Sequence, residues 1–239
     1  AEEDGNIAVA NDVANGEVRF TPNDNFNGND SFTYTVANDA EVPSYSSATV
    51  RVEVSPVNDD PTTVDDFGTV VSSAGTSVRV LSNDSDIDGD TLSITEVTFE
   101  GVTRSISEEG ETTITGATTG SQIVVNPTSG RINFIPDSDW YKGLADGTVE
   151  QKIVTYKAQD PSGAEADPPV AIPATLTLTV QGVNDAPEVT SSAITFNGTE
   201  DNIDSETGQP IPVRGDLSDF ASDPDSGAEL TYSIAAGGD

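Results

Sequence analysis

A chain of 239 residues with 42 acidic against 9 basic side chains carries a formal charge of −33, which repels nucleic acid and anionic membrane surfaces and excludes both as partners. Having neither cysteine nor histidine, it can form no disulfide and no Ser-His-Asp, Cys-His or His-ligated zinc centre. Apolar residues are only 34% of the total, yet they recur with period two, which describes small β cores and not a disordered acidic tail.

Residues 1–60 open with Ile7 and Val9 and then Asn15-Gly16-Glu17-Val18-Arg19-Phe20-Thr21-Pro22. This predicts a hairpin, because Asn-Gly tolerates the positive φ of a tight two-residue turn. Phe26, just before Gly28, is expected to anchor a loop across one end of a sandwich, followed by a strand through Phe32, Tyr34 and Val36. Alternation in Ala48-Thr49-Val50-Arg51-Val52-Glu53-Val54 marks a half-buried strand. It runs into Val57-Asn58-Asp59-Asp60-Pro61, where the proline removes a backbone donor and holds its predecessor extended, ending the ladder.

Residues 61–186 hold one complete unit. Strands are expected near 64–71, 78–81 and 92–97, with the aspartate run Asp84-Ser85-Asp86-Ile87-Asp88-Gly89-Asp90 between the last two. Ser129-Gly130-Arg131-Ile132-Asn133-Phe134-Ile135-Pro136 repeats the first hairpin, with Ile123 and Val125 ahead of it and Trp140 in the place of Phe26. Trp140 and Tyr141 are read as core or loop anchors, with sugar stacking as the alternative. The unit exceeds the ~100 residues of an Ig-like sandwich, so residues 100–120 and 164–173 are expected to be insertions, each an extra hairpin or a plain loop.

A second alternating strand, Ala174-Thr175-Leu176-Thr177-Leu178-Thr179-Val180, leads into Val183-Asn184-Asp185-Ala186-Pro187. Both linkers therefore read as domain joints. Residues 187–239 supply a front half of a third unit, with Asp223-Pro224-Asp225 just ahead of a predicted strand over 230–234, whereas residues 1–60 supply only a back half. The expected architecture is all-β: tandem Ig-like sandwiches with partial domains at both ends. The chain lacks methionine altogether and is expected to be a fragment of something longer.

Asn and Asp oxygens on a short extended linker suit hard cations, and Ca²⁺, which takes six to eight oxygens, would need acidic groups from the flanking domains as well. In both joints an Asp-x-Asp pair sits ahead of an alternating strand. Asp84, Asp86, Asp88 and Gly89 also fit the opening positions of an EF-hand loop, but its last ligand position falls on Thr95 and the flanks lack helical pattern. The bland reading is that these are solvated turns, since turns use Asp, Asn and Gly. Recurrence at matching places beside recurring linkers favours metal.

The two linkers resemble the Asn-Asp-x-x-Pro joint of cadherin repeats, and Ala221-Ser222-Asp223-Pro224-Asp225-Ser226-Gly227 followed by Leu230-Thr231-Tyr232-Ser233-Ile234 resembles their Asp-x-Asp segment; Ala158-Gln159-Asp160 is similar to their Ala-x-Asp motif. The resemblance implies a cadherin-like tandem repeat region of a large bacterial calcium-dependent (RTX-type) surface adhesin. It further implies Ca²⁺ held by Asn58, Asp59, Asp86, Asp88 and Asp160 at the first joint and by Asn184, Asp185, Asp223 and Asp225 at the second. The Asp-Arg-Glu triplet of that family is missing, and Glu200 or Asp201 is the candidate for its early glutamate. The expected role is a non-enzymatic, extracellular extender or adhesion module stiffened by Ca²⁺. A carbohydrate- or surface-binding module and an accessory domain of a secreted hydrolase are the alternatives. Neighbouring repeats and a cell-surface or glycan ligand are the expected partners, together with head-to-tail self-association in which the terminal half-domains of two molecules complement each other.

Overall fold

Alternation decides which side chains are sealed away. In Ala174-Thr175-Leu176-Thr177-Leu178-Thr179-Val180 every second residue faces one side, and the computed structural model buries Ala174, Leu176, Leu178 and Val180 while the threonines point outward. The structure describes residues 7–10, 16, 18–107, 110–161, 171–191, 193–197, 203–212 and 215–233, with side chains from residue 16 onward. The insertion expected at 164–173 falls largely outside these residues, and Glu200 and Asp201 fall wholly outside them.

In chain order the strands are β1 (Ile7–Ala10), β2 (Arg19–Pro22), β3 (Gly28–Ala37), β4 (Tyr45–Val54), β5 (Asp66–Val70), β6 (Thr76–Arg79), β7 (Ser93–Phe99), β8 (Val102–Ser105), β9 (Thr112–Thr115), β10 (Gln122–Asn126) and β11 (Arg131–Ile135). A short helix α1 (Ser138–Lys142) follows, then β12 (Val149–Gln159), β13 (Ile172–Gln181), β14 (Glu188–Val189) and β15 (Ala221–Ser222). Strands β5 to β13 form two sheets, β6-β11-β10-β9 and β5-β13-β12-β7-β8. All pairs in them are antiparallel except β13 with β5.

The inward residues of the two sheets meet in one apolar core that includes Val97, Phe99, Tyr156, Leu176 and Leu178 from one side and Ile114, Ile123, Ile132 and Phe134 from the other. Phe99 and Phe134 meet edge to face at 6.0 Å between ring centres, the favoured geometry for an aromatic pair. Between β5 and β6 the chain changes sheets, and Gly75 makes the turn at φ +78, where a side chain would collide with the Phe134 carbonyl.

Several sequence expectations are refined. Residues 100–120 are not one inserted hairpin: β8 closes a hairpin on β7 through Glu100 and Gly101, both at positive φ, whereas β9 pairs with β10 in the opposite sheet, so the segment crosses the sandwich. The expected loop at Trp140 is helical, because the Asp137 carboxylate caps the backbone N–H groups of Asp139 and Trp140. Tyr141 is buried and Trp140 packs against the core with Lys152 4.4 Å above its ring, which assigns both to anchoring. Residues 230–233 form no strand; β7, their counterpart, is held by β12, and no such partner stands beside 230–233 among the described residues.

Outside the sandwich, among the described residues β1 pairs only with β2, β3 only with β4 and β14 only with β15. Among the described residues every buried apolar side chain lies between Val70 and Val180. On β3 and β4, Phe32, Val50, Val52 and Val54 are only half-covered, and Tyr34 and Val36 are exposed.

Phe134→Ala is expected to destabilise the sandwich by about 3–5 kcal/mol, because a well-packed ring leaves a cavity that the two sheets cannot close. Thr113→Ala, on the exposed face of β9, should stay within about 0.5 kcal/mol. Denaturant melts of the two variants beside the parent chain check both values.

Candidate metal sites at the two joints

Beyond β4 the extended linker meets the following unit where Thr62 and Ser85 exchange backbone hydrogen bonds, N–H to O at 2.8 and 3.0 Å. This bridge lays the linker along the aspartate run. The backbone N–H of Asp59 donates to Asp88 Oδ2 at 2.8 Å, and the backbone N–H of Asp88 donates to Asp86 Oδ1 at 2.8 Å. From the far end of β12, Asp160 reaches the same place, where Asn58 Nδ2 donates to its Oδ2 at 3.2 Å and to the Asp59 carbonyl at 3.3 Å. Thus Asn58, Asp59, Asp86, Asp88 and Asp160, drawn from three separate stretches of sequence, are joined in one network.

The second joint repeats the pattern. The backbone N–H of Asp185 donates to Asp225 Oδ2 at 3.0 Å, that of Asp225 donates to Asp223 Oδ1 at 2.9 Å, and Asn184 Nδ2 donates to the Asp185 carbonyl at 3.0 Å. Here α1 lies alongside: the backbone N–H of Ser226 donates to the Gly143 carbonyl at 3.4 Å, and Lys142 pairs with Glu188 at 3.7 Å. Gly182 lets the linker leave β13 past Leu144 and Ala145, whose carbonyls would stand 2.6 and 2.3 Å from any Cβ there. At the first joint the loop through Asn25, Phe26 and Asn27 takes the place of α1, walling a cleft of about 220 Å³ with Asp59 and Asp88 opposite.

Each network leaves acceptors over. Five carboxylate oxygens are buried with no hydrogen-bond partner among the described residues: Asp86 Oδ2 and Asp160 Oδ1 at the first joint, Asp185 Oδ2 and Asp225 Oδ1 at the second, and Asp30 Oδ2 on β3. Asp160 is only 3% exposed and Asp225 8%. A buried carboxylate oxygen without a partner is costly, so the same defect at both joints calls for a positive group. Burial pushes the Asp160 carboxyl above its ordinary range against the Asn58 hydrogen bond, and the charges of Asp86, Asp90 and Asp60 push it further. Asp60 and Asp90 thus stand close enough for their charge to be felt at Asp160; both continue the acidic pattern, Asp90 the alternate spacing from Asp86 and Asp88, and Asp60 the doubled aspartate of the first linker. Among the described residues no three acidic side chains close around one point as they stand. The contacts run through backbone N–H groups, which leaves the orphan oxygens as the open positions. A donor set of carboxylate and amide oxygens without nitrogen or sulfur fits a hard cation such as Ca²⁺.

The aspartate run is also tied to the core. The Tyr156 hydroxyl lies 2.9 Å from Asp66 Oδ2, 3.0 Å from the Val80 carbonyl and 3.2 Å from Asp84 Oδ2, and Asp84 Oδ1 accepts the Val64 backbone N–H at 2.8 Å. One hydroxyl proton cannot serve three acceptors. Burial pushes Asp66 up to about 6, with the Asp84 charge adding to it and the Tyr156 hydrogen bond opposing it. Burial likewise raises Asp84. In the sequence Asp84 fits only the opening of an incomplete EF-hand loop; the signal for its inward role is Asp66, an acid on the inward face of a strand.

The sequence matches the bacterial Ig domain family over residues 2–53 and again over 58–173, and the chain belongs to that family. No curated protein matches it. Among solved structures it is similar to the protocadherin gammaB7 EC3-6 cis-dimer structure, at 17% identity and a TM-score of 0.45 over 79% of this chain and 43% of that one. It is similar also to extracellular cadherin domains 3-6 of protocadherin gamma B2, at 16% identity and a TM-score of 0.43 over 80% and 43%. A third likeness is to a nucleoside hydrolase-related hypothetical protein from Saccharophagus degradans associated with carbohydrate metabolism, at 19% identity and a TM-score of 0.33 over 53% and 26%. The chain spans less than half the length of each of these structures.

Because the folded-state value of Asp66 is raised above the 3.8 of a free side chain, the folded form holds a proton that the unfolded form has released. The stability this contributes is full below about 3.8 and is lost as pH rises through about 6. Asp66→Asn keeps an uncharged group in that place at every pH. Its melting temperature relative to the parent should therefore rise between about pH 4 and pH 7 and then level off; thermal melts across that range check the sign.

Proposed function

We propose that this chain is a calcium-binding extender segment of a large bacterial surface adhesin of the calcium-dependent, RTX type, working outside the cell without enzymatic activity. The observation that carries this reading is the recurrence of one hydrogen-bonding pattern at both joints, each with buried, unpartnered carboxylate oxygens. At the first joint Asn58, Asp59, Asp60, Asp86, Asp88, Asp90 and Asp160 would hold Ca²⁺, and at the second Asn184, Asp185, Asp223 and Asp225. Bound Ca²⁺ supplies positive charge and a demand for oxygens from both sides of the joint.

The residues themselves explain why stiffness would depend on it. Asp160, Asp86, Asp90 and Asp60 repel one another when nothing offsets their charge, and the ties that hold the linker against the following unit are few: one N–H to carboxylate bond at each joint and, at the first, the Thr62–Ser85 bridge and the Asn58–Asp160 bond. So few ties would leave the linker free to pivot. Neutralised carboxylates would draw linker, aspartate loop and strand end together and fix the angle between units. Extracellular modules of this kind bind Ca²⁺ with dissociation constants of about 10⁻⁴ to 10⁻³ M, which leaves such a chain loose inside a cell and stiff outside it.

The terminal hairpins support a second component of this reading. β12 and β13 are flanked by β7 and β5, whereas their counterparts β3 and β4 have no further strand beside them among the described residues and keep a half-covered apolar face. Strands equivalent to β5 and β7, supplied by a neighbouring repeat or by residues 187–239 of another copy, would complete that sandwich and cover Asp30.

Titration calorimetry with Ca²⁺ and scattering profiles with and without chelator test the proposal. The parent chain should bind ions at both joints and lengthen on binding. Asp160→Asn should weaken the first joint by roughly tenfold, through loss of one ligand charge, and leave the second unchanged; Asp225→Asn should do the converse. Scattering that chelator leaves unaltered would sink the reading.

A further inference from the structure

A cleft of about 320 Å³ opens at one end of the middle sandwich, between the end of β6, the turn joining β10 to β11 and the entry to β7. Its size falls within the ~300–1,000 Å³ of small-molecule sites. Half-buried Leu81 and buried Leu92 give it an apolar floor, and Arg79, Asp90, Thr91 and Thr128 stand in its polar walls. The turn that carries Thr128 is fixed in advance. Asn126 Oδ1 accepts the Ser129 backbone N–H at 3.0 Å and the Ser129 hydroxyl at 2.8 Å, and Gly130, at φ +63, closes on Leu81 where a side chain would collide.

Charges of opposite sign line this cleft, and both remain unpaired. Among the described residues the ion pairs all use lysine, and the Arg79 guanidinium makes neither an ion pair nor a hydrogen bond. Arg131 stands directly opposite it on β11, where like charges repel. Arg131 leans back along the sheet to the Ser77 hydroxyl at 3.4 Å, and Arg79 is left on the cleft wall. The Asp90 carboxylate accepts no hydrogen bond among the described residues, and the hydroxyls of Thr91 and Thr128 have no partner there either. Asp84 shares the wall, but its two oxygens are engaged inward by Tyr156 and the Val64 N–H.

The combination selects a ligand by elimination. An anion meets Asp90 and the field of a chain of charge −33; a cation meets Arg79; an apolar molecule would cover both charges and leave them unsatisfied. A sugar meets none of these obstacles, because each hydroxyl both donates and accepts and the C–H faces of its ring suit leucine. We propose that the cleft binds a neutral sugar unit of a glycan, whose hydroxyls accept from Arg79 and donate to Asp90 while the ring lies against Leu81 and Leu92. Thr91 and Thr128 serve the remaining hydroxyls. Trp140 and Tyr141, the aromatic candidates for sugar stacking, are committed to the core, so recognition of a sugar falls to this cleft.

Amide NMR of the isotopically labelled full chain, titrated with maltose, cellobiose, mannobiose and lactose in turn, tests this. The titrations are run in chelator, so that no ion at the joints contributes. At least one disaccharide should give saturable shifts confined to residues 79–82, 90–92 and 127–130. Arg79→Met, which keeps the stem and removes the donors, and Asp90→Asn should each weaken that binding about tenfold, as loss of a hydrogen bond to a charged group does. Thr113→Ala, on the far strand of the same sheet, should leave it unchanged. Arg79 and Asp90 are exposed, so both variants should melt with the parent, which separates lost binding from lost folding. No saturable shift with any of the four sugars would overturn the proposal. So would shifts centred on Trp140, parental affinity in both variants, or a response to galacturonate alone, since the cleft would then be an anion site.

Discussion

The organisation of this chain depends on a hydrogen bond from a linker backbone N–H to a carboxylate of the next unit, from Asp59 to Asp88 and again from Asp185 to Asp225. A linker that has left its strand has lost its ladder, so its N–H groups need other acceptors. An aspartate oxygen satisfies one of them and, being charged, makes a shorter and stronger bond than a carbonyl would. The consequence is geometric: the second oxygen of that carboxylate and the side chains of its neighbours are brought up against the linker. Asp225 Oδ1, on the carboxylate that takes the Asp185 N–H, and Asp86 Oδ2, on the neighbour that takes the Asp88 N–H, are buried without hydrogen-bond partners among the described residues.

Charge is distributed accordingly. The strand faces carry threonine, glutamine and serine, and the acids gather in the loops at the ends of the sandwich, as in the run from Asp84 to Asp90. An evenly spread charge of this size would oppose compaction everywhere. The dense run beside the first joint opposes the approach of one unit to the next, which is a step a divalent cation could reverse. The few lysines are used locally: Lys152 bridges Glu100 and Glu150 beneath the sandwich and covers Trp140.

Much of this was legible in the sequence because it rests on short patterns. Alternation in 174–180 names the buried face of β13, and the repeated Asn-Asp linkers name the joints. Asp160 was found only through its resemblance to a known motif, since it lies 102 positions from its partner Asn58 and no local rule connects them. The helix at Trp140 was missed because five residues are too few to show a helical period; the cap at Asp137 was its only mark. Residues 230–233 failed in the other direction. Their alternation is as regular as that of β7, but alternation describes a surface waiting for a partner and cannot supply one.

The core and the joint are coupled through one loop. Asp84, at the start of the aspartate run, is held inside the sandwich by Tyr156 and by the backbone of Val64; Asp86 and Asp88, two and four residues on, face the linker. The run leaves Asp84 through the Thr62–Ser85 bridge and turns back at Asp86 to Gly89, so fixing Asp84 against the core limits where the following aspartates emerge. A loop anchored only by solvent could not hold two carboxylates beside a linker against their own repulsion. The cost of burying Asp66 and Asp84 beside one hydroxyl is therefore offset at the joint, where the residues they position meet the next length of chain.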